Sequence, residues 1–308
     1  MVYNIAGGKI CSPCYADVKA YGAKGDGVTD DASAIQSALD ALNTTGGTIY
    51  FPPGVYLIKS AILFYSNQHL LFDSATLKQG AAINNLLRTY SESTWTAYNG
   101  VHDCIIEGAV FDGGTYTENN TLVGISHAKN IVFRNCTIKN AYGSWHDLEI
   151  NSSNNVKVLN CDFEGSRKNN TGGEMIQIDG TGESGCYPWP NVNYDGTVSV
   201  GIEIAGCSFH DSTYVPAIGN HYNMAHKFVA IHDCIFDGLT SSRGAINFVS
   251  NMTDIDIYNN LFNNCTTGIG TGGATYYIRN NRFVGATTAI GGSGSVAHAN
   301  MINGTYTA

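Results

Sequence analysis

A short phrase that recurs along the chain limits its fold more than any other feature. In each copy, two or three alternating apolar residues lead into Asn, Asp or Gly, and a small or apolar residue, a spacer and Phe or Ile follow. The copies lie at residues 101–106, 131–138, 156–163, 202–209, 229–236, 255–262, 277–283 and 296–302. The residues after their turns are 19 to 46 positions apart. Strand-like repeats at such spacings predict a solenoid.

Each copy predicts two short strands, and a third strand follows after a loop. Val-x-Val or Ile-x-Ile alternation buries one face of a strand, and Asn, Asp or Gly then turns the chain because these residues accept left-handed backbone angles. The third strands are predicted at 124–126, 147–150, 175–178, 217–220, 245–248, 268–270 and 289–291. Three short strands per coil predict an all-β parallel β-helix, with neighbouring strands about 4.8 Å apart.

Residues 1–58 are predicted to form an entry segment that caps this solenoid, and residues 59–308 to form its coils, within one structural domain. A helix is predicted from Thr29 or Asp30 as N-cap to a stop at Gly46–Gly47. Its apolar residues recur at helical spacing: Ile35, Ala38, Leu39 and Leu42. Residues 48–58 are predicted to form two strands around a turn. The amphipathic helix is expected to cover the open end of the solenoid.

Composition excludes several classes of function. Only 13% of the 308 residues are charged, the net charge is -9, and no cluster of Lys and Arg is present. Such a chain is not expected to bind nucleic acid or an anionic membrane. No apolar run is long enough to span a bilayer, and no signal peptide is visible in the sequence.

The nine cysteines are predicted not to form a disulfide set, and those that recur in the repeat are predicted to form a ladder of small, buried thiols. Five of them are assigned to one repeat position, which later copies fill with other residues: Cys104, Cys136, Cys161, Cys207 and Cys234, then Leu261, Arg282 and Met301. Cys11 and Cys14 have metal-like spacing, but no second pair of ligands lies near them in sequence, so no metal site is expected there. No cofactor is expected either.

Two motifs of the entry segment resemble those of a known family. Residues 21–31 read Tyr-Gly-Ala-Lys-Gly-Asp-Gly-Val-Thr-Asp-Asp, and residues 47–56 read Gly-Thr-Ile-Tyr-Phe-Pro-Pro-Gly-Val-Tyr. This run resembles the N-terminus of the pectate-lyase-like superfamily, which includes phage tailspikes, appendage proteins and secreted glycan-degrading enzymes. The resemblance implies a right-handed parallel β-helix, a carbohydrate ligand and an extracellular or virion-associated location. It allows a homotrimer and does not select one reaction, because lyases, hydrolases, epimerases and adhesins share the fold.

The chain departs from two well-known subfamilies. Polygalacturonases carry an Asn-x-Asp, a paired Asp-Asp, a Gly-His-Gly and an Arg-x-Lys, and residues 219–221 match this series only faintly. Pectate lyases carry Arg-x-Pro-x-x-Arg and a calcium-binding acidic cluster, and neither is visible. Both activities are therefore disfavoured.

Alternation on the third strands predicts two exposed columns of polar residues. Stacking the coils gives Glu149–Gln177–Gly219–Asn247 and Asn151–Asp179–His221–Val249. Glu149 and Asp179 would lie one coil and two residues apart, or about 8 Å at the backbone. That separation suits an inverting glycosidase, in which one carboxyl donates a proton and the other activates water. Asp179 and His221 would be neighbours close enough to hydrogen-bond, so that His221 tunes Asp179.

The candidate catalytic residues are Glu149, Asp179, His221, Glu174 and His146. The candidate substrate-binding residues are Gln177, Asp147, Asn151, Trp189, Tyr187, Tyr222, Trp145, His226, Arg243 and Asn247. The aromatic residues lie in or beside inserted loops and are expected to stack on sugar rings. His226 and Arg243 are candidates to bind a substrate carboxylate or sulfate.

The sequence leaves three functions open. A polysaccharide hydrolase using Glu149 and Asp179 is the first. A polysaccharide lyase is the second, with His146 or His221 as base and Arg243 to neutralise a uronate. A receptor-binding spike that binds glycan without cleaving it is the third.

Overall fold

The computed structural model describes residues 14–118, 120–142, 145–166, 173–182, 189–221, 224–249, 252–272, 274–291 and 296–306. Its strands are β1 (Tyr15–Asp17), β2 (Asp26–Asp30), β3 (Gly47–Phe51), β4 (Gly54–Ile58), β5 (Ile62–Phe64), β6 (Gln68–Phe72), β7 (Ala75–Gln79), β8 (Leu87–Thr89), β9 (His102–Glu107), β10 (Val110–Asp112), β11 (Val123–Ser126), β12 (Lys129–Arg134), β13 (Thr137–Lys139), β14 (Leu148–Asn151), β15 (Asn154–Leu159), β16 (Asp162–Glu164), β17 (Ile176–Asp179), β18 (Val200–Ala205), β19 (Ser208–His210), β20 (Ile218–Gly219), β21 (Lys227–His232), β22 (Ile235–Asp237), β23 (Ile246–Phe248), β24 (Thr253–Tyr258), β25 (Leu261–Asn263), β26 (Thr267–Thr271), β27 (Tyr276–Arg279), β28 (Arg282–Val284), β29 (Thr288–Ile290), β30 (Val296–His298), β31 (Met301–Ile302) and β32 (Thr305–Tyr306). A 3-10 helix (Val18–Tyr21) and an α-helix, α1 (Ala32–Asp40), precede the first complete coils.

The strands form three parallel sheets, as the repeat predicts. Sheet A has the order β1-β3-β6-β9-β12-β15-β18-β21-β24-β27-β30. Sheet B has the order β2-β4-β7-β10-β13-β16-β19-β22-β25-β28-β31-β32 and ends in an antiparallel pair. Sheet C has the order β5-β8-β11-β14-β17-β20-β23-β26-β29. Each coil contributes one strand to each sheet, which confirms a parallel β-helix.

Inward side chains stack from coil to coil and form the core. On sheet C, Ile150 lies beside Ile178, and both are fully buried. On sheet B, stacked rings run through five coils at Phe163, Phe209, Phe236, Phe262 and Phe283, with centroids 4.6 to 5.0 Å apart. The Phe after each turn therefore faces inward, as alternation requires.

The turn residues adopt the predicted left-handed conformation between sheets A and B. Their φ angles lie between 52° and 64° at Asn135, Asn160, Gly206, Asp233, Asn259 and Asn280. Asn, Asp and Gly are the residues that tolerate this region, which explains why the repeat carries them here.

The predicted cysteine column needs two corrections. Cys104 lies on sheet A beside Ile131, one strand earlier than expected, so it does not belong to the column. Ile235 lies beside Leu261, so Cys234 aligns with Asn260 and not with Leu261. The true column is Cys136, Cys161, Cys207, Cys234, Asn260, Asn281 and Asn300. The described cysteines are free thiols, as predicted.

Helix α1 caps the first coils, as predicted. Ile35, Ala38 and Leu39 are fully buried and join the core of the coils. The N-cap is Asp31 rather than Thr29 or Asp30, and its carboxylate accepts hydrogen bonds from the N–H groups of residues 24 and 25. The division of the chain at residue 58 stays a prediction. In the part of the chain that the structure describes, no helix has the length and apolar character needed to cross a membrane.

Candidate active site on sheet C

The register of sheet C brings together most of the predicted columns. Glu149 lies beside Gln177, and Gln177 beside Gly219, which lies beside Asn247. The first column is therefore present as predicted. In the second, Asn151 lies beside Asp179, but β20 ends at Gly219, and His221 lies beyond the paired strand.

The columns are not exposed, contrary to prediction, because inserted loops fold back over them. Asp179 and Asn151 are fully buried, and Glu149 is 5% exposed. Ser199, at the end of one insertion, donates its hydroxyl to the Asp179 carbonyl at 2.6 Å. The same insertion packs on a second one, since Tyr98 donates its hydroxyl to the Val198 carbonyl at 2.8 Å.

Glu149 is a buried carboxyl held in place by one amide. Its Oε1 accepts a hydrogen bond from Asn151 Nδ2 at 2.6 Å. Burial raises the pKa of Glu149 to about 8, and the negative charge of Asp179 raises it further. Hydrogen bonds from Asn151 and Thr121, together with the nearby His221, lower this pKa by a smaller amount. A carboxyl with this pKa is protonated at neutral pH and can donate a proton.

Asp179 is surrounded by N–H groups. Its Oδ2 accepts hydrogen bonds from Gln177 Nε2 at 3.0 Å and from the His221 main-chain N–H at 2.9 Å. The fully buried His226 places Nε2 3.4 Å from Oδ1, and its Nδ1 accepts the Ser199 N–H at 2.9 Å. In neutral His226 the proton therefore lies on Nε2, which is close to Asp179 but forms no hydrogen bond with it. These donors complement a carboxylate.

The ring of His221 contacts Glu174 rather than Asp179, which corrects the predicted pairing. Nε2 of His221 lies 2.6 Å from Glu174 Oε2. Burial lowers the pKa of His221, but the hydrogen bond with Glu174 and the charges of Glu174 and Asp179 outweigh it, so the pKa is raised. The sequence expectation was right that Asp179 and His221 are neighbours, and wrong that the imidazole makes the contact.

Glu174 is the centre of a buried ionic cluster. Its side chain has no exposed surface, and its Oε1 accepts a hydrogen bond from Arg243 at 2.6 Å. Arg243 also donates to the Gly173 carbonyl. His146 Nδ1 accepts the Glu174 N–H at 3.2 Å, and burial, followed by the nearby His221 charge, lowers the pKa of His146 well below its usual value. Neutral His146 and cationic Arg243 thus hold Glu174 against His221.

Glu174 also fixes the tautomer of His221. In the neutral ring a proton on Nε2 lies beside the Glu174 carboxylate, and Nδ1 is then left as an acceptor, 3.4 Å from Gln177 Nε2. Gln177 is the sheet neighbour of Glu149. The His221 side chain is 30% exposed, far more than Glu149 or Asp179. His221 is therefore the most accessible titratable group of this cluster.

Among the residues that the structure describes, two groups of side chains have the spacing of metal ligands. Ligand atoms of His146, Glu174 and His221 lie within 4.8 Å of one another, as do those of Asp162, Glu164 and His210 on sheet B. In the first group Arg243 already neutralises Glu174, and His146 Nδ1 already accepts an N–H. This arrangement fits an internal ion pair better than a metal site.

Several predicted substrate-binding residues are placed where a polymer cannot contact them. Asp147, Asn151 and His226 are fully buried. Trp189 is 5% exposed because its indole lies against Gly124, where a Cβ would overlap the ring. The Arg243 guanidinium binds Glu174 and Gly173 and is not held out for a substrate anion.

The remaining predicted residues lie at the edge of the site or outside the described ranges. Gln177 and Asn247 are 3% and 9% exposed, and Trp145 is half-buried. Tyr187 and Tyr222 lie outside the described residues.

Sequence reasoning missed Arg88, which continues the first column. Leu63, Arg88 and Gly124 are successive sheet neighbours, and Gly124 precedes Glu149. Arg88 and Trp189 line a cavity of about 380 Å³, and the guanidinium carbon lies 5.7 Å from the indole centroid. Extending the third-strand pattern upstream to Leu87-Arg88-Thr89 would have identified this residue.

Comparison with known proteins identifies the family. Residues 15–291 match the family model described as Rhamnogalacturonase A/epimerase, pectate lyase-like. The chain belongs to this family. Membership confirms the pectate-lyase-like resemblance and the right-handed parallel β-helix.

Relatives of this pectate-lyase-like chain include an adhesin. Plasmin and fibronectin-binding protein A of Streptococcus pneumoniae (strain ATCC BAA-255 / R6) is 32% identical over 240 residues, which are 67% of this chain and 33% of the relative. The chain thus spans about a third of the length of this curated relative.

Solved structures with the same fold include an adhesin and an enzyme. The structure of PfbA, a surface adhesin of Streptococcus pneumoniae, matches with a TM-score of 0.62 and 22% identity over 87% of this chain and 84% of that chain. A Yersinia enterocolitica family 28 exopolygalacturonase matches with a TM-score of 0.68 and 15% identity over 93% of this chain and 61% of that chain. At these identities the likeness shows the fold alone.

Proposed function

We propose that this protein is a carbohydrate-active β-helix enzyme that cleaves a polysaccharide by hydrolysis. Glu149 donates a proton to the glycosidic oxygen as the bond to the anomeric carbon breaks. Water attacks that carbon, and His221 Nδ1 takes the proton of the water. The two groups then exchange a proton through solvent and are ready for the next cycle.

One observation carries this proposal: Glu149, a carboxyl that is protonated at neutral pH, and His221, an imidazole that can accept a proton, lie in the same site. Burial raises the pKa of Glu149 to about 8, so it is an acid at neutral pH. The contact with Glu174 at 2.6 Å leaves Nδ1 of His221 as the acceptor. A proton donor and a proton acceptor in one site are the two groups that general acid–base hydrolysis requires.

The assignment changes the role that the sequence suggested for Asp179. Asp179 is fully buried and holds the His221 main chain through its Oδ2 at 2.9 Å. It therefore acts as a positioning residue that also adds negative charge near the imidazole. Glu174 orients the ring, and His146 and Arg243 hold Glu174.

The experiment is an assay of wild type and Glu149→Gln on neutral and acidic polysaccharides. We expect wild type to release reducing ends without unsaturated products, and Glu149→Gln to lower kcat by about 10²–10⁴-fold because the proton donor is lost. Glu164→Gln, which changes a carboxylate on sheet B, is the matched control and should keep full activity. Full activity of Glu149→Gln would refute the assignment.

The pH profile tests the pairing of His221 with Glu174. Activity should rise as His221 loses its proton and fall as Glu149 ionises near its pKa of about 8. Glu174→Gln removes the charge that raises the His221 pKa, so the acidic limb of the profile should move to lower pH. The limb is measured as kcat/KM against pH. An unmoved limb would mean that His221 is not the base.

A second candidate is glycan binding without cleavage, because a surface adhesin shares this fold and the fold does not select a reaction. PfbA is a surface adhesin, and a comparable role would place this chain on a cell surface or a virion. Tight binding to a polysaccharide with no reducing ends would favour the adhesin. Unsaturated products would favour the lyase, with His221 abstracting a proton from a uronate. The mass of the particle in solution tests the homotrimer.

A further inference from the structure

One column of left-handed residues runs along the start of the sheet A strands. Successive coils place there Asp103, Asn130, Asn155, Gly201, Phe228 and Asp254, with φ angles between 55° and 73°. Asp, Asn and Gly are the residues that accept this conformation. Phe228 departs from the pattern and is the one bulky apolar side chain with positive φ in the described ranges.

A bulky residue with these backbone angles strains the backbone, and such strain is usually retained only where packing or a function compensates for it. Packing does not compensate for the strain at Phe228, because the residue is 56% exposed. Its ring neighbour is the Lys227 ammonium, 5.6 Å from the centroid. Asn130 and Asn155 show that an amide serves the fold at the same position in other coils. The strain therefore points to a surface function of the ring.

Phe228 belongs to an open pocket on the outer face of sheet A. The pocket has a volume of about 410 Å³ and is lined by Phe228, Asp254, Asp256, Tyr277, Arg279 and His298. Tyr277 is 48% exposed. Two exposed rings and the carboxylate and guanidinium groups that line the same pocket provide both stacking faces and hydrogen-bond partners.

The polar side of this pocket is rigid before anything binds. Arg279 donates to Asp256 at 2.6 Å, and its guanidinium carbon lies 4.1 Å from the Tyr258 centroid. Tyr258 stacks on His232 with centroids 4.7 Å apart. Groups already held in place lose little conformational freedom on binding.

We propose that this face of sheet A is an accessory binding surface for a neutral polysaccharide, distinct from the cluster on sheet C. Two carboxylates and two cations, Asp254, Asp256, Lys227 and Arg279, balance one another here, in a chain of net charge -9. An uncharged, hydroxyl-rich ligand complements such a surface, because it can use donors and acceptors alike without requiring a counter-charge.

The spacing of the two rings suits a polymer rather than a small molecule. Phe228 and Tyr277 lie two coils apart, and two residues apart along the strands. Their backbones are therefore about 12 Å apart, a span that a short oligosaccharide can bridge. The choice of a glycan rests on the proposed function, but binding at this surface does not require cleavage.

The test is affinity electrophoresis through gels that contain soluble β-1,3-glucan, galactan, xylan or polygalacturonate. All proteins carry Glu149→Gln so that substrate is not consumed. Phe228→Asn and Tyr277→Ala should each weaken the retardation by at least one neutral polysaccharide about 3–10-fold. Tyr21→Ala removes another exposed ring, on the entry segment, and should bind normally. Phe228→Asn should also keep or raise Tm by about 1–2 °C, because strain is relieved.

Each other result would overturn the proposal. These results are unchanged binding by both variants, retardation by polygalacturonate alone, absence of retardation, and a lower Tm for Phe228→Asn. A change of particle mass in either variant would mean that the face joins copies of the chain. Loss of retardation in the variants, together with an inactive wild type, would uphold this surface and refute only the hydrolase.

Discussion

Asp147 is a carboxyl with no exposed surface, and it directly precedes β14 of sheet C. Its Oδ2 accepts the Ser166 hydroxyl at 2.9 Å. Burial raises the pKa of Asp147 to about 8. Hydrogen bonds from Ser166 and the Ala141 main chain lower this pKa, but by less than burial raises it. The folded protein therefore binds a proton at Asp147 that the unfolded chain releases near pH 4.

This difference makes stability depend on pH. Between about pH 4 and pH 8 the native state holds the extra proton, so the contribution of Asp147 to stability falls as pH rises. Asp147→Asn stays neutral and keeps an acceptor for Ser166. The variant should be more stable than wild type by about 1–3 kcal/mol at pH 8.5 and equal to it near pH 4. Urea unfolding at both pH values measures this, and parallel curves would contradict it.

At the scale of single residues, the sequence predicted which side chains meet but not how they pair. Alternation placed Glu149 and Asp179 on adjacent coils because strand register depends only on the apolar pattern. The contact between Arg243 and Glu174 joins residues 69 positions apart through loop backbone that no period describes. The rotamer of His221 depends on that same contact, so its partner could not be predicted.

At the scale of an element, the later coils replace the thiol column by amides. Asn281 Nδ2 donates to the Ile257 carbonyl at 2.8 Å, and its Oδ1 accepts the Asn260 N–H at 2.9 Å. Asn300 repeats the bond to the preceding coil at Ile278. The sequence prediction missed this ladder because it aligned Leu261 rather than Asn260 with Cys234.

Removing the central amide should destabilise these coils. Asn281→Ala leaves a buried N–H and a buried carbonyl without partners, at a cost of about 2–3 kcal/mol. Asn281→Cys should cost less, because Cys234 donates its thiol to the Ile204 carbonyl at the corresponding position. Asn263→Ala, on the outer face of sheet B, is the control and should cost less than about 0.5 kcal/mol. Thermal unfolding ranks the three, and equal losses for Ala and Cys would contradict the ladder.

The positions of the inserted loops in the chain were predictable, but the surface on which each loop packs was not. Gaps in the repeat located the insertions after Asn84 and Gly180, because coils of a solenoid otherwise have similar lengths. No pattern in the sequence indicated that the Trp189 indole would lie on Gly124 and cover the column. That contact depends on the absence of a side chain two coils earlier.

At the scale of the whole molecule, one apolar core runs from Ala16 to Ala286 and includes six of the cysteines. These are Cys104, Cys136, Cys161, Cys207, Cys234 and Cys265, each 1% exposed. Burial raises the pKa of Cys104 to about 12 and that of Cys265 to about 11, which suppresses the reactive thiolate.

Alkylation therefore reports on the integrity of the solenoid. With iodoacetamide at neutral pH, the native protein should be modified at Cys14 and not at the six core thiols. As urea is increased, all six should become reactive in one transition, because a single core holds them. Mass spectrometry of the peptides measures each site. Rapid native labelling of Cys161 or Cys207 would contradict this core.

The stacked rings of sheet B have a consequence for how such a protein can change in length. Each interior Phe meets the same ring above and below at nearly the same angle, between 4° and 11°. A duplicated or deleted coil would give every remaining ring an equivalent neighbour, so whole coils can be gained or lost by recombination without redesigning the interior. The length of the solenoid can therefore change during evolution in steps of one coil.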